Sequence, residues 1–176
     1  MMLTFGSKPV PWNALWSAEQ RYEIRPCRWA GGRLAIWSPH NPGAGRPIFA
    51  KPQCVRQRQS VARFLCTVCG DPTPKDDRWW FGHGQFLEGM FMTGEAPVHH
   101  ACAELALSKC PHLKGREGDL ARFPTGHSIA YAMVGGSLTD EDFGVRIAGR
   151  KVVGAMKFAW PERRVHVRRA SEMVTP

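Results

Sequence analysis

No apolar run in the chain approaches the roughly 20 residues that a membrane-spanning helix needs. The opening MMLTFGSKPVPW also lacks a basic start followed by an apolar stretch. No membrane partner is therefore expected, and the expected location is the cytoplasm. Internal repeats and low-complexity tracts are missing as well. Acidic residues are scarce, with 15 Asp and Glu against 24 Lys and Arg, a net charge of +9. No catalytic constellation is visible, which points away from an enzyme. The Gly-rich segment SPHNPGAGRP, Ser38 to Pro47, lacks the Lys-Ser/Thr ending and the strand-to-helix setting of a phosphate loop. Its density of Pro and Gly makes it a plain loop.

The chain does have enough apolar side chains to fold. At 176 residues and 43% apolar, it is sized for one core, or for a core with a small metal-stapled lobe, so residues 1–176 read as a single compact domain. Seven Trp add large buried surfaces to such a core. Six Cys would make three disulfides in an exported chain. Without an export signal, and with four of them in metal-like or helix-packed settings, reduced thiols fit better.

The positive charge is uneven. Eight Lys or Arg lie between Gly144 and Ala170 against the single acid Glu162, and four lie between Lys51 and Arg63 with no acid. Such clusters attract polyanions, nucleic acid first, although an ordinary solvated surface has the same composition.

Along the chain, the pattern predicts an α+β fold with short strands. Residues 1–50 read as β-rich, with Arg21 to Trp29 and Arg33 to Trp37 forming a hairpin about Gly31-Gly32. Residues 51–65 read as a basic helix, since QCVRQRQSVARFL has apolar residues at helical spacing and no Gly or Pro. On it Arg56, Gln59 and Arg63 share a face, a candidate phosphate-binding stripe or a solvated one. Residues 66–113 form a metal module. Residues 114–169 read as a basic β-rich part with strands in SIAYAMV, RKVVGAMKFAW and RRVHVRR. In the last of these, Arg164, His166 and Arg168 would face one side as a cationic stripe. The tail, Ala170 to Pro176, is expected to fray.

The strongest signal is metal-ligand spacing. In CTVCG, Cys66 and Cys69 can converge on one ion, and Gly70 permits the tight turn around it. In APVHHACAELALSKCPH, Pro97 stands just before a helix that runs to Cys110-Pro111. His99 and Cys102, three apart at its first turn, point the same way, whereas His100 and Cys102 do not. Eight residues of helix would put Cys110 about 12 Å from Cys102, too far to share an ion. Cys66, Cys69, His99 and Cys102 are therefore the expected ligands of one structural Zn2+, with His100, Cys110 and His112 as alternatives to His99. A closed four-ligand site leaves no position for a reacting water. Cys27, Cys54 and Cys110 read as small buried hydrophobes.

A CxxCG knuckle, an insertion holding Trp79-Trp80-Phe81 and Phe91-Met92 as two short strands, and HxxC at a helix start resemble the treble-clef class of zinc fingers. More narrowly, CTVCG followed by PVHHACAELALSKCPHL resembles a group of small zinc-binding proteins encoded by bacteriophages and prophages. That resemblance covers Cys66 to Leu113 and implies a phage setting, hence the host cytoplasm, with no activity attached. Treble clefs also underlie HNH endonucleases, for which His83 would be the base. No Asn and second His follow it on a helix, and the adjacent Asp76 and Asp77 read as a solvated turn. The expected function is a non-catalytic, zinc-stabilised accessory protein that associates with nucleic acid. The alternative is a factor that docks on a host or phage protein through anchors such as Trp79 and Trp80.

Overall fold

The computed structural model describes residues 2–82, 84–116, 120–134, 140–147, 149–165 and 168–169. The chain opens with six strands: β1 (Leu3–Phe5), β2 (Lys8–Val10), β3 (Ala14–Trp16), β4 (Glu23–Pro26), β5 (Leu34–Trp37) and β6 (Pro47–Pro52). Helix α1 (Cys54–Arg63) follows, then β7 (Trp80–Phe81), β8 (Gln85–Leu87), β9 (Met90–Thr93) and helix α2 (His100–Lys109). The last part holds β10 (Leu120–Arg122), β11 (Ser128–Met133), the single helical turn α3 (Asp140–Phe143), β12 (Val153–Pro161) and β13 (Arg168–Arg169). This is a mixed α+β fold built on several small sheets. No helix among the described residues is long and apolar enough to cross a membrane.

The Gly31-Gly32 pair takes φ of 61° and 77°, and the turn it completes pairs β4 with β5 from Glu23↔Trp37 to Pro26↔Leu34. Strand β6 runs to Pro52, because a proline keeps the residue before it extended. The helix expected from residue 51 therefore starts at Cys54, capped by the Gln53 side chain, which accepts the Arg56 N–H at 2.7 Å. Phe64, with φ 53°, ends it.

Strand β12 is the spine of a six-stranded sheet. Along one edge it pairs antiparallel with β11 from Val153 to Ala159. Its other edge is divided: β5 joins in parallel at Val153↔Ala35, and β9 joins antiparallel from Phe158 to Pro161. Strands β4 and β8 extend the two halves outward. Between the halves, the groups of Gly154 and Met156 on this divided edge have no strand beside them among the described residues, and side chains from α1 take the place of one. Gln57 Nε2 donates to Met156 O at 2.7 Å and to Gly94 O at 2.9 Å, while its Oε1 accepts the Met156 N–H at 3.1 Å. Arg58 donates to Gly154 O at 2.8 Å and to Ile36 O on β5.

Arg56 performs the same task toward the N-terminal ribbon. Its guanidinium donates to both carboxylate oxygens of Glu19 at 2.6 and 2.8 Å and to Ala14 O at 2.6 Å, and both side chains are fully buried. The expected phosphate-facing stripe is thus corrected at Arg56, whose charge is spent inside the protein on a bidentate pair.

The main apolar cluster lies under α1 and includes Val61, Trp80, Phe91, Met156, Phe158 and Trp160. A second surrounds the cysteines, with Val68, Trp79, Val98, Ala103 and Leu120. Trp79 and Trp80 point into different clusters, as neighbours on an extended chain must. Both are buried, at 7% and 3% exposure, so neither serves as a surface anchor for a partner.

Candidate metal centre

The knuckle is fixed by backbone bonds. The Cys66 N–H donates to Asp71 O and the Gly70 N–H to Cys66 O, both at 2.8 Å. Gly70 has φ 84°, and a Cβ there would lie 2.7 Å from the Trp12 ring, so both the turn and the close approach require glycine. The N-terminal chain holds the knuckle from outside: Trp12 N–H donates to Val68 O at 2.9 Å and Asn13 N–H to Thr67 O at 3.2 Å. On the far side, Thr67 N–H reaches Pro97 O at 3.2 Å, which draws the start of α2 up to the knuckle.

His99 is the residue just before α2 and Cys102 lies in its first turn, so the two side chains come down together beside Cys66 and Cys69. The candidate ligand atoms of Cys66, Cys69, His99 and Cys102 all lie within 4.8 Å of one another, a group able to hold a metal ion. Nδ1 of His99 is 3.5 Å from Cys69 Sγ and 3.8 Å from Cys102 Sγ. Its other nitrogen, Nε2, lies 3.1 Å from the carbonyl oxygen of Pro72. A carbonyl only accepts, so Nε2 carries the proton and Nδ1 presents a lone pair to the centre.

Burial, with Cys66 nearby, pushes the Cys69 thiol up to about 11, although the Asp71 N–H favours its thiolate. Cys102 is raised further, by burial first and then by Cys66 and Cys69. A cation held among these sulfurs would offset both effects and favour their thiolates.

The neighbouring candidates lie elsewhere. His100 turns its ring to Trp79, with centroids 5.0 Å apart, and its backbone N–H donates to Asp77 Oδ1 at 2.8 Å. Asp77 therefore caps α2 from the 3-10 turn Lys75–Asp77. Cys110 ends α2 with its N–H on Ala106 O at 2.8 Å, and His112 sits in an exposed turn. Cys27 is buried in the main cluster, and Cys54 lies 3.5 Å from the Ser38 hydroxyl. Sequence reasoning missed the Pro72 carbonyl, the Asp77 cap and the Trp12 ring over Gly70. A backbone carbonyl leaves no mark in a pattern of side chains.

The insertion holds the two short strands expected of it, β7 over Trp80–Phe81 and β9 over Met90–Thr93. Strand β7 pairs with β10 and β9 with β12 and β8, so the Trp79-Trp80-Phe81 and Phe91-Met92 segments do not form one hairpin. The hairpin between knuckle and helix is β8–β9.

The cationic stripe expected at Arg163 to Arg169 is also corrected. Arg164 lies in the 3-10 turn Glu162–Arg164, set off by Pro161 and closed by Val165 N–H on Glu162 O at 3.0 Å. It therefore cannot alternate along a strand with Arg168, which belongs to the two-residue β13 opposite Arg122. His166, the nuclease candidate His83 and the tail from Ala170 lie outside the described residues. Arg63 is exposed at the end of α1, its guanidinium 5.8 Å from the Trp29 ring centroid.

No family model, curated protein or solved structure matches the chain.

Proposed function

We propose that the chain is a non-catalytic accessory protein, stapled by one structural zinc ion at Cys66, Cys69, His99 and Cys102, that associates with nucleic acid. The observation that carries the zinc reading is the spacing of its donors. A sulfur and a nitrogen bound to one tetrahedral zinc, at about 2.3 and 2.05 Å, lie about 3.6 Å apart. The separations from His99 Nδ1 are 3.5 and 3.8 Å. Three thiolates and an imidazole suit zinc, and with all four positions filled by protein the ion holds the fold instead of activating water. The order of knuckle, β8–β9 hairpin and ligand-bearing helix supports a treble-clef-like module, and with it the phage or prophage type of protein that the motif resembles. An HNH-type site is disfavoured, because His99 is directed at the cysteines.

Nucleic acid is the favoured partner because of the net charge of +9. A protein-docking role would use the edge strand β8, where Phe86 and Leu87 are 60% and 50% exposed. Two measurements test the reading. Elemental analysis should find about one zinc per chain. Anisotropy with labelled DNA and RNA over a salt series should show binding that weakens steeply as salt rises. No binding at low salt removes the nucleic-acid part, and a metal-free folded chain removes the staple.

A further inference from the structure

A band of linked contacts sets arginines on partly buried aromatic rings. It centres on the turn between β4 and β5. Arg28 places its guanidinium 4.3 Å from the Trp29 ring centroid, and Arg63, arriving from the end of α1, reaches the same ring at 5.8 Å. Arg33 lies 4.4 Å over Tyr131 on β11. A Cβ at Gly31 would sit 2.9 Å from Arg33 Nη1 and 3.8 Å from the Tyr131 hydroxyl, so this turn stands directly against that pair. Next to Arg63 in the chain, Phe64 carries the Arg78 guanidinium at 3.8 Å on its ring and His127 at 5.0 Å. Arg78 is held there by bonds to Thr73 Oγ1 at 3.2 Å and Thr73 O at 2.6 Å. Arg164 closes the band, since a Cβ at Gly126, beside His127, would lie 3.2 Å from its Nη1.

The rings of Trp29, Phe64 and Tyr131 rest on the main apolar cluster and are only partly buried. Their packing fixes the rings over which the guanidinium groups lie. Arg28, Arg33 and Arg63 remain exposed. A cationic, partly aromatic surface of this kind offers two things at once: charge for phosphates and planar platforms for bases. A duplex uses only the first, because its base faces are stacked on one another. A single strand uses both.

We infer that this band binds single-stranded nucleic acid, with Arg28, Arg33 and Arg63 at the phosphates and the guanidinium-on-ring stacks of Trp29 and Tyr131 receiving bases. The inference rests on the nucleic-acid association proposed above and assigns it to a surface. It differs from the stripes read in the sequence, retaining Arg63 and Arg164 and excluding Arg56.

The test uses the full, metal-loaded chain and a labelled oligothymidylate of roughly 12 nucleotides, within the span of known single-strand sites. Comparison ligands are its duplex with oligoadenylate and a polyglutamate of similar charge. The single strand should bind tightest. Arg33→Gln and Arg63→Gln alter exposed side chains and leave the metal and the melting temperature unchanged. Each should reduce the slope of log affinity against log salt by about 0.7. Arg150→Gln, exposed on another part of the chain, should leave the slope as it is. Oligonucleotide quenching of tryptophan emission should shrink in Trp29→Phe. Wild-type slopes in both band variants overturn the assignment of this surface while leaving nucleic-acid association intact. Equal or tighter binding of the duplex overturns the single-strand choice, and polyglutamate binding as tight as the oligonucleotide overturns the base-stacking role. Absence of nucleic-acid binding in the wild type at low salt removes both this inference and the reading beneath it.

Discussion

Helix α1 and the cysteine knuckle are separated only by Phe64 and Leu65, yet their polar side chains find partners in opposite ways. In the knuckle, Cys66 and Cys69 meet residues of their own kind, brought by a second CxxC-like spacing at His99 and Cys102. In α1, Arg56, Gln57 and Arg58 turn inward onto groups 22 to 99 residues away, most of them backbone carbonyls. As proposed, the first arrangement would depend on an ion from outside, whereas the second uses acceptors made by the fold itself. One region is stapled and the other is laced. The comparison predicts that the two will fail differently.

The largest effect should come from Cys66→Ser. Binding energy at a structural zinc is folding energy, on the order of 10 kcal/mol in small metal-held units. Loss of the metal should therefore unfold at least the lobe around Val68, Trp79 and Val98, and a strong chelator should do the same to the wild type. Thermal melts with and without chelator measure this. A Cys66→Ser protein that keeps its zinc and its melting temperature would end the staple side of the comparison.

Arg56→Met comes next. It leaves the Glu19 carboxylate buried without its partner, which costs about 3–5 kcal/mol. Metal content should be unchanged, since no ligand is touched. The pH dependence gives a second view of the same pair. Burial works to raise Glu19, but Arg56 and the N–H groups of Trp16 and Asn41 outweigh it and hold the carboxyl below its ordinary value. A carboxyl lowered in the folded state contributes stability that is fully present above its unfolded value, near ~4.3, and is lost as pH falls through the folded one. The stability gap between wild type and Glu19→Gln should therefore be wide at neutral pH and close on acidification below about pH 4. Denaturant titrations at several pH values measure that gap, and one that stays constant would contradict the pairing.

Arg58→Met should cost less, about 1–3 kcal/mol. It strips the carbonyls of Gly154 and Ile36 of a donor but leaves no carboxylate behind. Hydrogen exchange should show the damage where β5 meets β12, with the knuckle amides still protected. If the knuckle loosened equally, the two regions would be one cooperative unit and the distinction between staple and lace would fail.

The contrast also explains what could be read before the fold was known. The cluster of Cys66, Cys69, His99 and Cys102 was legible because thiolate and imidazole chemistry is rare and spacing decides which atoms can meet. Hairpin β4–β5, strands β11 and β12 and both long helices were legible from glycine position, strand-like runs and capping. The orientation of α1 was not. Its Arg and Gln side chains look like a solvated face until a sheet with a divided edge supplies carbonyls for them, and that gap arises only when β5 and β9 both join β12. The same holds at Arg164. A proline followed by an acid is a weak turn signal, and the alternating charge after it imitates a strand. Trp79 and Trp80 were anchors only so long as both could be imagined outside.

The smallest predicted effect is the most discriminating for the metal centre. His99 and His100 are adjacent, and composition cannot tell them apart. In the structure, His99 points Nδ1 at the sulfurs with Nε2 on Pro72 O, whereas His100 lays a half-exposed ring on Trp79 and near Glu104. Its contribution to the α2 cap is its backbone N–H, which any residue supplies. His100→Ala should therefore lower stability by less than about 1 kcal/mol, the loss of one partly exposed ring contact. It should also leave zinc stoichiometry unchanged. His99→Ala should lose the metal or bind it more weakly, because water replaces a preoriented imidazole in the set. Metal analysis after competition with a chromogenic chelator separates the two variants. Zinc weakened in His100→Ala and kept in His99→Ala would exchange their roles, and with them the helix register that brings Cys102 to the knuckle.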